Sequence, residues 1–137
     1  MAFKILRGTI FGGITYFLIG WLVYGILLMD FFSAGMNQCA NRPMDEMIWW
    51  AMILSNLALA LLLSLILNWK KATGIVDGLL TGAIFGALFI TMIDFSFWSM
   101  STLYSNITTI LVEIVVAAAI YGLVGMVIVL TWGKSDK

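Results

Sequence analysis

An ionisable side chain inside an apolar run costs roughly 2.5–3.5 kcal/mol to place in a bilayer, so each such residue asks for a partner or a purpose. Glu113 is the strongest candidate. It stands among Leu111, Val112, Ile114 and Val115, about two helical turns from the start of its run, with no basic residue at its depth. Two chemistries fit it: a neutral acid hydrogen-bonded to another helix, with Asn56 as the partner at similar depth, or a proton or cation site. Asp94 and Asp30 fall near the ends of their runs, where water and headgroups are expected to reach them. Thr91, Tyr24 and Trp21 complete a polar and aromatic pocket with Asn56, Asp94 and Glu113 if the helices converge at that end. Asp45 and Glu46 add to the acids there, against Arg42 alone, a negative mouth attractive to cations.

What is missing excludes much else. Without histidine, bis-histidine haem, most zinc and di-iron sites and histidine proton relays are out of reach. The single cysteine, Cys39, can form neither an internal disulfide nor a Cys-x-x-Cys pair. No Walker loop, dinucleotide fingerprint, serine elbow or zinc-protease motif is present, and no basic face suits nucleic acid. No paired nucleophile and base can be named. The expectation is a protein without catalytic residues, metal or cofactor. Asn106-Ile107-Thr108 matches a glycosylation sequon, but it lies against the predicted membrane surface and carries little weight.

The elements that must hold these side chains are membrane helices. Apolar residues make up 63% of the chain and charged ones 10%, with a mean hydropathy of +1.08, far from the composition of a soluble domain. A span needs roughly 20 apolar residues, and four runs qualify, over about 5–29, 47–67, 74–97 and 107–132. The fold class is an all-α membrane protein, one integral domain over 1–137 built as a four-transmembrane-helix bundle. The first run follows Lys4 and Arg7 as a signal peptide would, but it is too long for one and is kept as a span.

Basic residues set the expected orientation. Lys4, Arg7, Lys70, Lys71, Lys134 and Lys137 fall on one side and Arg42 on the other, which predicts cytoplasmic termini in an inner, or plasma, membrane. Trp49, Trp50 and Trp98 at one boundary, with Trp69 and Trp132 at the other, read as interfacial anchors. The longest connection, 30–46, holds Gly35, Asn37, Asn41 and the only proline, Pro43, which with Asp45 and Glu46 reads as a helix start. The short connections predict that spans two and three, and three and four, are packed antiparallel neighbours. Asp77, close to Lys70 and Lys71, reads as a carboxylate at a helix N-terminus. Tyr16 and Tyr121 can bond between helices.

Glycine marks the packing faces. Gly74, Gly78, Gly82 and Gly86 recur every fourth residue, and the same helical row runs on to Asp94. Such stripes let backbones approach closely where the hydrophobic effect gives no driving force. Shifted by 66 positions, Gly8, Gly12 and Gly20 fall on Gly74, Gly78 and Gly86, and nearby Met29-Asp30-Phe31 resembles Ile93-Asp94-Phe95. A duplicated helical hairpin with parallel repeats explains this, and so does the general abundance of glycine in membrane helices.

The run Gly20-Trp21-Leu22-Val23-Tyr24-Gly25, the glycine-rich third span and the Ala- and Gly-rich fourth resemble a four-helix bacterial membrane family of unknown function. That resemblance implies a four-helix fold and supplies no activity.

With so little chain outside the spans, any work is expected inside the membrane or against other membrane chains. The first expectation is an accessory or structural subunit that packs on other subunits, or on its own copies, through its glycine faces. The alternative is a small oligomeric transporter or channel protomer with a proton or cation site around Glu113.

Overall fold

The computed structural model describes residues 2–35 and 48–132, and its helices account for nearly all of them. Helix α1 covers Ala2–Leu22 and passes without a break into a π turn, Val23–Leu27, followed by the short helix α2, Met29–Gly35. Three long helices follow: α3 over Trp49–Lys70, α4 over Ile75–Met100 and α5 over Ile107–Trp132. Four segments are long and apolar enough to cross a membrane, Phe3–Leu27, Trp49–Lys70, Ile75–Met100 and Ile107–Trp132. The protein is a multi-pass membrane protein with an all-α four-helix arrangement. Cys39, Arg42, Pro43, Asp45, Glu46, Asn37, Asn41, Lys134 and Lys137 lie outside the described residues.

Local chemistry explains the helix ends. α3 stops at Lys71, which takes a left-handed conformation (φ 61°) and donates its N–H to the Asn68 carbonyl at 3.1 Å, while Ala72 N–H reaches the Leu67 carbonyl at 3.0 Å. These bonds satisfy carbonyls that the helix end would otherwise leave bare. α4 opens after the extended Gly74, and Asp77 in its first turn accepts the Thr73 N–H at 3.3 Å and pairs with Lys70, in agreement with its reading as an N-terminal carboxylate. Asn106 starts α5: its Oδ1 accepts the Thr109 N–H at 3.0 Å and the Thr109 hydroxyl at 3.1 Å, so this side chain acts as a helix cap.

Packing follows the small residues. α4 lies against α5 along its glycine row. A Cβ on Gly78 would stand 2.6 Å from the Gly125 carbonyl oxygen, one on Gly86 2.6 Å from the Tyr121 Cβ, and Gly82 rests on the Tyr121 carbonyl. Gly122 and Gly125 complete the contact from the α5 side. The opposite face of α4, with Val76, Leu80, Ile84, Leu88 and Met92, is exposed, as a lipid-facing stripe should be. α1 lies between α3 and α5: Gly8 meets Ile128 and Ser64, and Gly12 meets Ile128 and Ala60. Gly20 and Gly74 face open space.

The neighbour relations therefore run α3, α1, α5, α4. Spans three and four are packed neighbours, as their short connection implies. Spans two and three are not: α3 and α4 share few contacts despite the tight turn between them. Close approach needs small residues on both partners, and the small face of α4 is already matched by Gly122 and Gly125 of α5. A cavity of about 280 Å³ stands between them instead, with Ser55, Leu59 and Leu62 of α3 on one side, Phe89 of α4 on the other, and Tyr16 and Tyr121 also on its wall.

α5 is the hub of the core, contributing Ile120, Tyr121, Val124, Ile128, Val129 and Trp132 to a cluster with Leu63 and Leu67 of α3. Trp132 corrects one expectation. Only 3% exposed, it is not a lipid-facing anchor; the Lys4 ammonium lies 4.1 Å from its ring centroid, a cation–π contact made possible by the return of α5 to the start of α1. Trp49, Trp50, Trp69 and Trp98 are exposed, as anchors would be. The matched segments of the suggested repeat have unlike surroundings: Gly86 is covered by Tyr121 while Gly20 is open, and Asp94 is buried while Asp30 is exposed.

Candidate functional site

Asp94 extends the row that carries Gly78, Gly82 and Gly86, so it is turned toward α5 and is only 1% exposed. This overturns the expectation that water and headgroups reach it. The glycine contact draws α4 and α5 together, and the carboxyl on the same row goes inside with them. Glu113 comes from α5, two turns from its start, and is half-buried.

The residue that joins them is Tyr104. It sits in the connection from α4 to α5, is 6% exposed, and turns its hydroxyl inward to Asp94 Oδ1 at 2.8 Å and Glu113 Oε2 at 3.2 Å. One proton faces two carboxyl groups. Asp94 and Glu113 also interact directly, and Asp94 Oδ2 is fully buried with no donor supplied by the other described residues. A carboxylate oxygen can only accept, so a hydrogen bond between the two acids needs a proton on one of them. Burial first, then the hydrogen bond to Asp94 and the field of both carboxyls, push the ionisation of the Tyr104 hydroxyl above the usual tyrosine range, so it is held as a proton donor.

Sequence reasoning missed Tyr104, although its place carries a signal: it is 10 residues from Asp94 and 9 from Glu113, at the fold-back of the hairpin that bears both acids. Asn56 does not take the role expected of it, because Glu113 finds its partners in Tyr104 and Asp94. The remaining candidates separate. Thr91 gives its hydroxyl to the Ala87 carbonyl at 2.6 Å, a bond within its own helix. Tyr24 lies within electrostatic reach of Glu113 and Asp94, and Tyr121 in turn within reach of Tyr24 and Glu113.

Tyr16 and Tyr121 meet across the bundle, hydroxyl to hydroxyl at 3.2 Å with rings edge to face. The chain has four tyrosines, and all four belong to this one interior line with the two acids: Tyr104, the acid pair, Tyr24, then Tyr16 with Tyr121. Phe32 of α2 is buried and packs on Tyr24 with ring centroids 5.1 Å apart. The Gly35 carbonyl accepts the Ser105 N–H at 2.8 Å, and Gly35 rests on Thr109, so α2 is fastened to the connection that carries Tyr104 and to the start of α5.

A second hollow, about 360 Å³, lies between α1 and α3. Asn56 and Trp21 are on its wall, and so is Tyr24. The pocket expected from the sequence is thus two sites that share Tyr24. Among the described residues no three His, Cys, Asp or Glu side chains gather as a metal site would need.

No family model, no curated protein and no solved structure matches the chain, so the resemblance of its spans to a four-helix family of unknown function gains no support from that side.

Proposed function

We propose that this chain is the protomer of a small membrane transporter or channel that carries a proton or a monovalent cation through the Asp94–Glu113 pair. The observation that carries this reading is the meeting of two acids on one tyrosine hydroxyl, with Asp94 Oδ2 buried and given no donor by the other described residues. Two carboxyl groups this close repel when both are ionised, and the described basic side chains, Lys4, Arg7, Lys70 and Lys71, all lie at the other end of the helices. A proton turns the clash into an acid-to-carboxylate hydrogen bond; a small cation neutralises it. Either relieves a cost that the pair carries whenever both acids are ionised. By the excess of basic residues, the acid pair belongs to the outer half of a plasma membrane, with both termini in the cytoplasm.

The accessory-subunit reading ranks second. It asks for glycine faces free to receive a foreign helix, and Gly78, Gly82, Gly86, Gly8 and Gly12 are covered by α5 and α3 of the same chain. Four helices with an open seam between α3 and α4 enclose no path, so the working unit is a homo-oligomer. The test is proton flux into liposomes that hold the purified chain and a trapped pH dye under an imposed potential. Glu113→Gln keeps the helical content and abolishes the flux; flux equal to that of the unaltered chain would remove the proposal.

A further inference from the structure

The hollow between α1 and α3 has the chemistry of a binding site, and we infer that it takes a lipophilic organic cation. Five of its lining residues are aromatic, Tyr16, Phe17, Trp21, Tyr24 and Trp49, and Asn56 supplies a polar group that can both donate and accept. A mostly apolar concavity with a few placed polar groups is the usual form of a small-molecule site. Trp21 and Trp49 are 57% and 46% exposed, and Gly20 on the same wall leaves open space before it. Among the described residues nothing covers this side of the hollow, and on the present inference its occupant enters from the bilayer. Tyr24 and Gly25 of the wall belong to the π turn, a distortion that often accompanies functional sites in helices.

Charge selects the class of occupant. Among the described residues no ionised side chain lines the hollow itself, but Tyr24, which forms part of its wall, stands in the field of Glu113 and Asp94. Aromatic faces attract a cation, by about 0.5–1 kcal/mol at exposed positions and about 2 or more when desolvated. Negative charge behind one wall adds to that preference in a low-dielectric setting. A neutral acyl chain uses neither Asn56 nor the ring faces. An anion is opposed by the acids. A delocalised cation, a quaternary ammonium or phosphonium with apolar substituents, satisfies the rings, the acids and the lipid entrance together. This inference rests on the acid-pair reading for its charge preference and names the substrate class that such a protomer would exchange for protons.

The experiment compares tetraphenylphosphonium with tetraphenylborate, ions of the same shape and opposite charge, for saturable binding to the chain in lipid nanodiscs, with empty nanodiscs subtracted. The phosphonium is expected to bind at least about tenfold more tightly than the borate, a difference of about 1.4 kcal/mol. Trp21→Leu and Trp49→Leu are each expected to weaken it about threefold or more, and Asp94→Asn with Glu113→Gln to erase the preference for the cation. Equal binding of both ions, or no saturable binding, overturns the inference. If phosphonium binding ignores the acid variants while proton flux is lost in them, the cavity inference fails and the acid-pair reading stands. If phosphonium binds as expected and no proton flux is found, the transport reading fails and the site remains.

Discussion

The Tyr121 backbone carbonyl occupies the place that a β-carbon on Gly82 would need, so that α4 and α5 meet backbone to backbone. No side chain fits there. A membrane interface of this kind draws its stability from contact over many atoms, which a single added methyl separates.

Gly82→Ala is therefore expected to destabilise the folded chain by about 1–3 kcal/mol, the usual cost of overpacking. Gly20→Ala, whose new Cβ meets nothing within 4 Å, is expected to be neutral or stabilising by up to about 1 kcal/mol through helix propensity. Reversible unfolding in mixed detergent micelles gives both values. Equal effects of the two substitutions would mean that the glycine row does not set the α4–α5 distance.

Tyr104→Phe removes the one hydroxyl shared by Asp94 and Glu113 and is expected to cost about 1–3 kcal/mol near neutral pH. The alkaline limb gives a second reading. The folded state holds the Tyr104 proton more firmly than the unfolded chain, whose tyrosine ionises near the ordinary value of 10.0. The contribution is thus complete below that value, and stability falls as pH rises above it, because the folded state then binds more protons than the unfolded one. Unfolding measured between pH 8 and 11, a window chosen around roughly the ordinary tyrosine value, is expected to show a shallower decline in Tyr104→Phe than in the unaltered chain. Parallel declines would place the loss elsewhere.

Ser64 is fully buried on α3 beside Gly8, and its hydroxyl has no partner among the described residues. An unpaired buried hydroxyl costs roughly 1–3 kcal/mol. Ser64→Ala removes the polar atom and little volume, and is expected to stabilise the fold by about 1 kcal/mol. The same unfolding assay decides it, and a loss of stability would show that the hydroxyl has work in the folded chain.

The spans were legible because length and hydropathy suffice for them: each of the four lies within about three residues of the run that announces it. The packing face of α4 was legible too, since a period of four on one helix fixes a face without any knowledge of its partner. The surroundings of that face were not. Asp94 looks interfacial when counted from the end of its run, and its burial follows only once Gly82 and Gly86 have found α5. Tyr104 reads as an ordinary loop aromatic until the hairpin closes and turns it inward. Trp132 was mistaken for an anchor because boundary position alone cannot tell lipid from the first turn of another helix. Loop length misled at α3 and α4: a tight turn forces two helix ends together, but contact along their length needs matching surfaces.

The order α3, α1, α5, α4 also has a consequence for synthesis. Helices emerge from the ribosome in sequence, and N-terminal parts settle first. α1 and α3 can pair as soon as both are inserted. α4 then arrives with its glycine row bare, because the surface that fits it belongs to the helix still to come. α5, which brings the Tyr121 and Gly125 contacts and most of the core, is made after all of them. Until α5 has joined them, the three earlier spans stand as an early hairpin with a lone helix beside it, and the acid on that helix lacks the Glu113 that α5 brings.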